Sequence, residues 1–187
     1  MKVILLNGSR KEKGCTYTAL QEVAGSLAKA GIAAEIIHAL PEDDIIKTTA
    51  EKLKTADGLV IGSPVYWASP TGEIISFLDR LCILAGPSLL HKPGAVVASA
   101  RRAGTTATLD VLQKYLAYFQ MPIVSSNYWN MVHGNTPEEV AQDKEGLQIM
   151  RTLGNNMAWL LKAIAAGKAA GVNSPATEDK IMTNFIR

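Results

Sequence analysis

The chain has 187 residues, 48% of them hydrophobic, and a formal net charge of +2. That length and apolar content fit one domain with a full core, and so small a charge argues against nucleic acid or an anionic membrane as the main partner. The apolar run over 3–6 is too short for a signal-peptide core or a membrane span, so the chain reads as cytoplasmic.

Residues 3–6 read as a strand buried on both faces. From Thr16 the spacing becomes helical through Leu20, Val23, Leu27 and Ala30, with Gly31 placed to close the helix. A second strand is expected over 33–39 (AAEIIHA) and a helix over 41–56, acidic in its first turn. GLVIG (58–62) is the third strand, 63–72 is a loop interrupted by prolines, and 73–85 is a helix with an apolar stripe of Ile74, Phe77, Leu78 and Leu81. GAVVASA (94–100) is the fourth strand, followed by a loop over 99–106 and a helix over 109–120. MPIVSS (121–126) is the fifth strand. One long helix is expected over 137–166, then an irregular tail over 167–187.

Strands alternating with helices at this spacing predict an α/β fold with helices on both faces of a parallel sheet. It is a single three-layer α/β/α sandwich, its five strands in the doubly wound order 2-1-3-4-5. In such sheets ligands bind beyond the carboxyl ends of the strands, at the switch point beside strand 1. That selects the loops 7–16, 63–72 and 99–106.

The first of these loops joins a strand to a helix start, where unpaired N–H groups suit an anion such as a phosphate. Ser9, Thr16 and Thr18 add hydroxyls, Arg10 and Lys11 add positive charge, and Gly8 and Gly14 allow tight turns. A capped helix start that binds nothing has the same composition. A Walker loop is excluded: Gly8 and Gly14 stand one residue too far apart, and Cys15 occupies the lysine position. Gln21 and Ser88 stand where a cysteine phosphatase needs its arginine, for Cys15 and Cys82 respectively. Asn7 and Gly62 stand where a response regulator needs acids. With two cysteines and no C-x-x-C, thiolates of one chain cannot alone hold zinc or an iron–sulfur cluster. In the second loop, Tyr66 and Trp67 could face a planar aromatic ligand, or pack in the core or against a subunit.

Taken together, NGSRKEKGCTYTAL (7–20) and GSPVYWASPTGEIISFLDR (62–80) resemble the flavodoxin-like NAD(P)H-dependent FMN reductases, relatives of the iron–sulfur flavoproteins. The resemblance implies a flavodoxin-like fold and bound FMN, with NADPH or NADH as co-substrate. Ser9, Thr16, Tyr17 and Thr18 would surround the phosphate, with Arg10, Lys11 and Cys15 in the same loop. Pro64, Val65, Tyr66 and Trp67 would run along the isoalloxazine, and Ser99, Arg101, Arg102 and Gly104 would close its pyrimidine side. The iron–sulfur members carry a compact cysteine motif between strands 2 and 3, and this chain has none there, so no cluster is expected.

Arg101 and Arg102 replace the glycine-rich third loop of many relatives. They suit either the negative charge of a reduced flavin, the phosphate of NADPH, or plain solvation. His133 is a candidate proton donor beside a structural role. Cys15 lacks a base or resolving cysteine, so its thiol reads as structural. The expected activity is hydride transfer from a nicotinamide through FMN to a small acceptor such as a quinone or flavin. The alternatives are an FMN electron carrier with no nicotinamide turnover, and a binding module with an empty pocket. Trp67, Trp129 and the C-terminal helix and tail suggest a homodimer.

Overall fold

The computed structural model describes residues 1–183 and 185. The central strands are β1 (Lys2–Asn7), β3 (Gly58–Tyr66) and β5 (Gly94–Ala100), all hydrogen-bonded in parallel. β2 (Ala33–His38) pairs with the outer edge of β1, and β6 (Met131–His133) with the end of β5. The order is therefore β2-β1-β3-β5-β6, with β4 (Ser69–Pro70) an antiparallel return against β3. Apart from that short return, the strand order is the doubly wound one expected.

Alternation along the strands builds two cores. Ile4, Leu6, Leu59 and Ile61 face one side and pack under α2 (Asp43–Thr55), α3 (Gly72–Ala85) and α4 (Thr105–Tyr118). Val3, Leu5, Val60 and Val97 face the other side and pack under α1 (Cys15–Lys29) and α6 (Lys144–Ala169). Successive side chains of a strand point to opposite faces, so a continuous apolar run is what a strand covered on both faces requires.

Several boundaries differ from the sequence expectations. The segment 121–126 is not a continuous strand: Gly94 N–H donates to Pro122, Val124 N–H donates to Gly94, and the chain then leaves the sheet. It returns at Asn130, whose carbonyl accepts from Ala98, and β6 fills the end of the fifth position. The expected helix over 137–166 is two: α5 (Pro137–Val140) and α6, which starts afresh where the Asp143 carboxylate accepts from Gly146 N–H at 2.9 Å. α4 starts at Thr105 and α2 at Asp43, and β3 runs on to Tyr66. α6 continues to Ala169 before the tail begins. Of that tail, Asn184, Ile186 and Arg187 lie outside the described residues. Among the described residues no helix is long and apolar enough to cross a membrane.

Candidate active site

The loop after β1 is folded by its own polar groups. Asn7 is buried; its Oδ1 accepts from Ser9 N–H at 3.2 Å and its Nδ2 donates to the Glu12 carbonyl at 2.8 Å. Ser9 Oγ accepts from Lys11 N–H at 3.1 Å, and His38 Nε2 donates to the Ser9 carbonyl at 2.7 Å. Gly8 is required by packing: a Cβ there would lie 2.6 Å from Ile74 Cβ. The Thr71 hydroxyl donates to the Gly8 carbonyl at 2.8 Å while accepting from Ile74 N–H, so one residue both caps α3 and ties it to this loop.

α1, like α2 at Glu42 and α4 at Gly104, starts without a side-chain cap. Thr71 caps α3, Thr136 caps α5 and Asp143 caps α6 with side-chain oxygens. α1 begins at Gly14, with no side-chain cap and no acid in its first turn. Its first N–H groups are left for another acceptor, and the end of the helix carries partial positive charge.

These groups open onto a cleft of about 470 Å³ at the carboxyl ends of the strands. The β1–α1 loop and α1 form one wall through Ser9, Lys11, Cys15 and Thr16. Pro64, Val65 and Tyr66 at the end of β3 form a second, and Ser99 and Arg101 a third. The fourth is the loop Gly134 to Glu138, which the sequence reading missed. Its signal was present: Thr136 followed by Glu139 is a capping box, and the Thr136 hydroxyl does accept from Glu139 N–H. Without β6 placed before it, that capping box had no strand end to mark.

Lys11 and Arg101 bring positive charge to the cleft, and Glu138 brings negative. The Glu138 carboxyl is held below the usual range by its own backbone N–H and the Thr136 hydroxyl. Burial raises the Cys15 thiol, whose Sγ lies 3.7 Å from the Gly134 carbonyl, so it is a neutral wall group at neutral pH. The Thr16 and Ser99 hydroxyls, both buried, share a 2.8 Å hydrogen bond that ties α1 to β5.

Other expected site residues stand off the cleft lining. The Thr18 hydroxyl donates to the Gly14 carbonyl, and the Tyr17 hydroxyl accepts from Gln21. Arg10 turns away and pairs with Glu73 at 2.5 Å. Trp67 sits fully exposed at a hairpin tip, and Arg102 is exposed beside the cleft. Gly104, at φ +99°, supports the hairpin from below: a Cβ there would lie 2.7 Å from both Ala68 Cα and Val65 Cγ1. His133 lines a separate cavity of about 210 Å³ with Tyr128 and Asp143, not the cleft.

A family model for NADPH-dependent FMN reductase matches residues 1–136. The chain belongs to that family. An iron–sulfur flavoprotein of Methanocaldococcus jannaschii is 27% identical over 191 residues, covering 88% of this chain and 99% of its own. Another, from Archaeoglobus fulgidus, is 32% identical over 99 residues, covering 43% of this chain and 48% of its own. Among solved structures, RosB with bound 8-demethyl-8-formylriboflavin-5′-phosphate superposes with a TM-score of 0.70 at 16% identity, over 100% of this chain and 98% of that one. A flavodoxin from the domain Archaea gives 0.68 at 16% identity, over 87% and 99%. These likenesses establish the flavodoxin-like fold.

The protein is accordingly an FMN-dependent oxidoreductase. The residues present fit that cofactor: an uncapped helix start and Lys11 for a phosphate, and a wall at Pro64–Tyr66 for a flat ring. A cluster of the kind those relatives are named for has no ligand set here. Cys15 and Cys82 pack on opposite faces of the sheet, and no group of three or more His, Cys, Asp and Glu among the described residues could hold a metal.

Proposed function

We propose that the protein takes hydride from NADPH or NADH onto FMN held in this cleft, and passes the electrons to a small acceptor such as a quinone or free flavin. The observation that carries this reading is the uncapped start of α1, opening with Lys11 onto a cleft whose far wall ends in Tyr66. Bound FMN supplies the redox chemistry, accepting hydride and releasing electrons. The chain's residues bind and orient. Backbone N–H groups of Cys15, Thr16 and Tyr17 take the phosphate at the positive end of α1. Pro64, Val65 and Tyr66 fix the plane of the ring. Of the two arginines, Arg101 lines the cleft and supplies the cation at the β5 wall. His133 faces another cavity, and we assign it no proton transfer.

One anaerobic cuvette tests this. FMN-loaded protein should lose its visible flavin absorbance on adding NADH or NADPH. Flavin that bleaches only with dithionite would sink the reading in favour of the electron carrier.

We also propose a homodimer, through a face other than the two tryptophans that first suggested one. An apolar groove of about 610 Å³ opens between α3 and α4, with Ile83 81% and Tyr118 67% exposed. Asp79 and Lys114 line it, and neither has an ion-pair partner among the described residues. An acid on one helix and a base on the other are self-complementary across a two-fold axis, which favours a second copy as the occupant.

A further inference from the structure

Tyr66 has open space on both sides. One side is the cleft; the other is a groove of about 560 Å³ bounded by Arg10, Pro41, Trp67, Ser69 and Glu73. The hairpin that divides them adopts an unfavourable backbone. Val65 pairs with Pro70 and Tyr66 with Ser69, leaving Trp67 and Ala68 as the turn, at φ +54° and +56°. Both lie in the left-handed region, where glycine or asparagine is the usual choice. Trp67 is 101% exposed, so nothing among the described residues packs on its ring. Strain of this kind persists only where the surroundings over-determine it, and it gathers at ligand clamps. The surroundings here are Gly104 beneath Ala68 and Thr71 at the base, whose N–H donates to Ser63 Oγ at 3.1 Å. The hairpin is thus a rigid mount for an exposed aromatic face.

Arg10 lines the same groove. Its side chain is 68% exposed and its Nε lies 2.5 Å from Glu73 Oε1. An exposed pair of this kind holds its partners weakly, and a guanidinium exchanges a carboxylate for a phosphate readily. With FMN held in the cleft as proposed, a hydride donor would reach the ring from the side of Tyr66, which lines both the cleft and the groove. The remainder of that donor cannot enter a cleft already filled, and the groove begins at the same residue.

We infer that this groove receives the adenosine half of the nicotinamide dinucleotide, with adenine stacked on Trp67 and the pyrophosphate beside Arg10. The assignment rests on the reading of the protein as a nicotinamide-dependent reductase. It is tested on FMN-loaded protein with two readouts. Calorimetric titration with NADP⁺ measures binding without turnover, and anaerobic stopped-flow compares NADPH with 1-benzyl-1,4-dihydronicotinamide, a donor that lacks the adenosine and the phosphates. Trp67→Ala and Arg10→Gln should each weaken NADP⁺ by about tenfold, the effect of losing one base–aromatic stack or one charged contact. Both variants should be reduced by the benzyl donor at the parent rate. Unchanged NADP⁺ affinity in both variants overturns the inference, as does equal slowing with both donors. Should neither donor bleach the parent while NADP⁺ binds and Trp67→Ala weakens it, the functional reading falls and the groove stands. A parent that binds no NADP⁺ removes the groove.

Discussion

Gly104→Ala puts the hairpin support to a quantitative test. Gly104 sits at φ +99° directly before α4. An L-residue in the left-handed region costs about 1–2 kcal/mol. The new methyl would also lie 2.7 Å from Ala68 Cα, a backbone atom that can yield only if the hairpin lifts. Overpacking of this sort costs about 1–3 kcal/mol, so the total loss is about 2–5 kcal/mol. For a chain of this size each kcal/mol lowers the melting temperature by about 2–4 °C, giving a fall of about 10 °C. Urea unfolding monitored by circular dichroism should show a lower midpoint with an unchanged slope. Gly25→Ala is the control: it lies in α1, and a Cβ there meets nothing within 4 Å. Helix propensity makes that change stabilising by about 0.5–1 kcal/mol. Lifting the hairpin also moves Pro64 to Tyr66, so FMN affinity should fall in Gly104→Ala and hold in Gly25→Ala. A Gly104→Ala midpoint at or above that of the parent refutes the argument.

Four further outcomes are expected. Thr16→Val and Ser99→Ala each strand a buried hydroxyl at a cost of about 1–3 kcal/mol, and the double variant should lose less than the sum in a double-mutant cycle. Burial pushes the Cys82 thiol up to about 12, so at pH 8 only about one thiol in ten thousand is ionised; iodoacetamide followed by mass spectrometry should label it far more slowly in the folded than in the unfolded chain. Because that folded value lies above the ordinary 9.0, its stabilising contribution is complete below pH 9.0 and is lost as pH rises through about 12; Cys82→Ala should show a shallower alkaline fall in stability. Asp79→Lys and Lys114→Asp should each shift the mass by light scattering toward monomer, and the charge-swapped double variant should restore the dimer; a monomeric parent removes that face.

The central strands were legible because burial on both faces leaves one signature, a continuous apolar run with glycine or proline at its ends. The edge was not. Pro122 to Val124 have strand composition, yet they meet β5 only at Gly94, and the chain departs before Ser125. Which residues of an edge segment pair is decided by contacts with β5 and α6, such as Asn156 Nδ2 donating to the Ser125 carbonyl. The hairpin at Trp67 and Ala68 was illegible for a related reason. Its turn type is normally announced by Asn-Gly, and here Gly104, distant in sequence, together with Thr71 at the hairpin base imposes it on residues that give no such signal.

Within the cleft the loops were legible and the parity within each loop was not. Each of the expected loops contains an adjacent pair that the structure divides: Lys11 in and Arg10 out, Tyr66 on the cleft and Trp67 beyond it, Arg101 in and Arg102 out. Composition and strand-end position pick out both members of a pair equally. The bends after β1 and β5 and the turn after β3 then send neighbours to different sides, and which one faces the cleft depends on where the strand ends. β3 continues past Gly62 to Tyr66, which no apolar run in the sequence marks. This division has a direct consequence for the arginines. Arg101→Gln removes the cation at the cleft wall and should weaken FMN binding by about tenfold, with a reduced dependence on salt, as loss of a charged contact does. Arg102→Gln, outside the lining, should leave both unchanged. Equal effects from the two would mean that the loop acts as a diffuse positive patch, and that the parity seen in its backbone has no bearing on the cofactor.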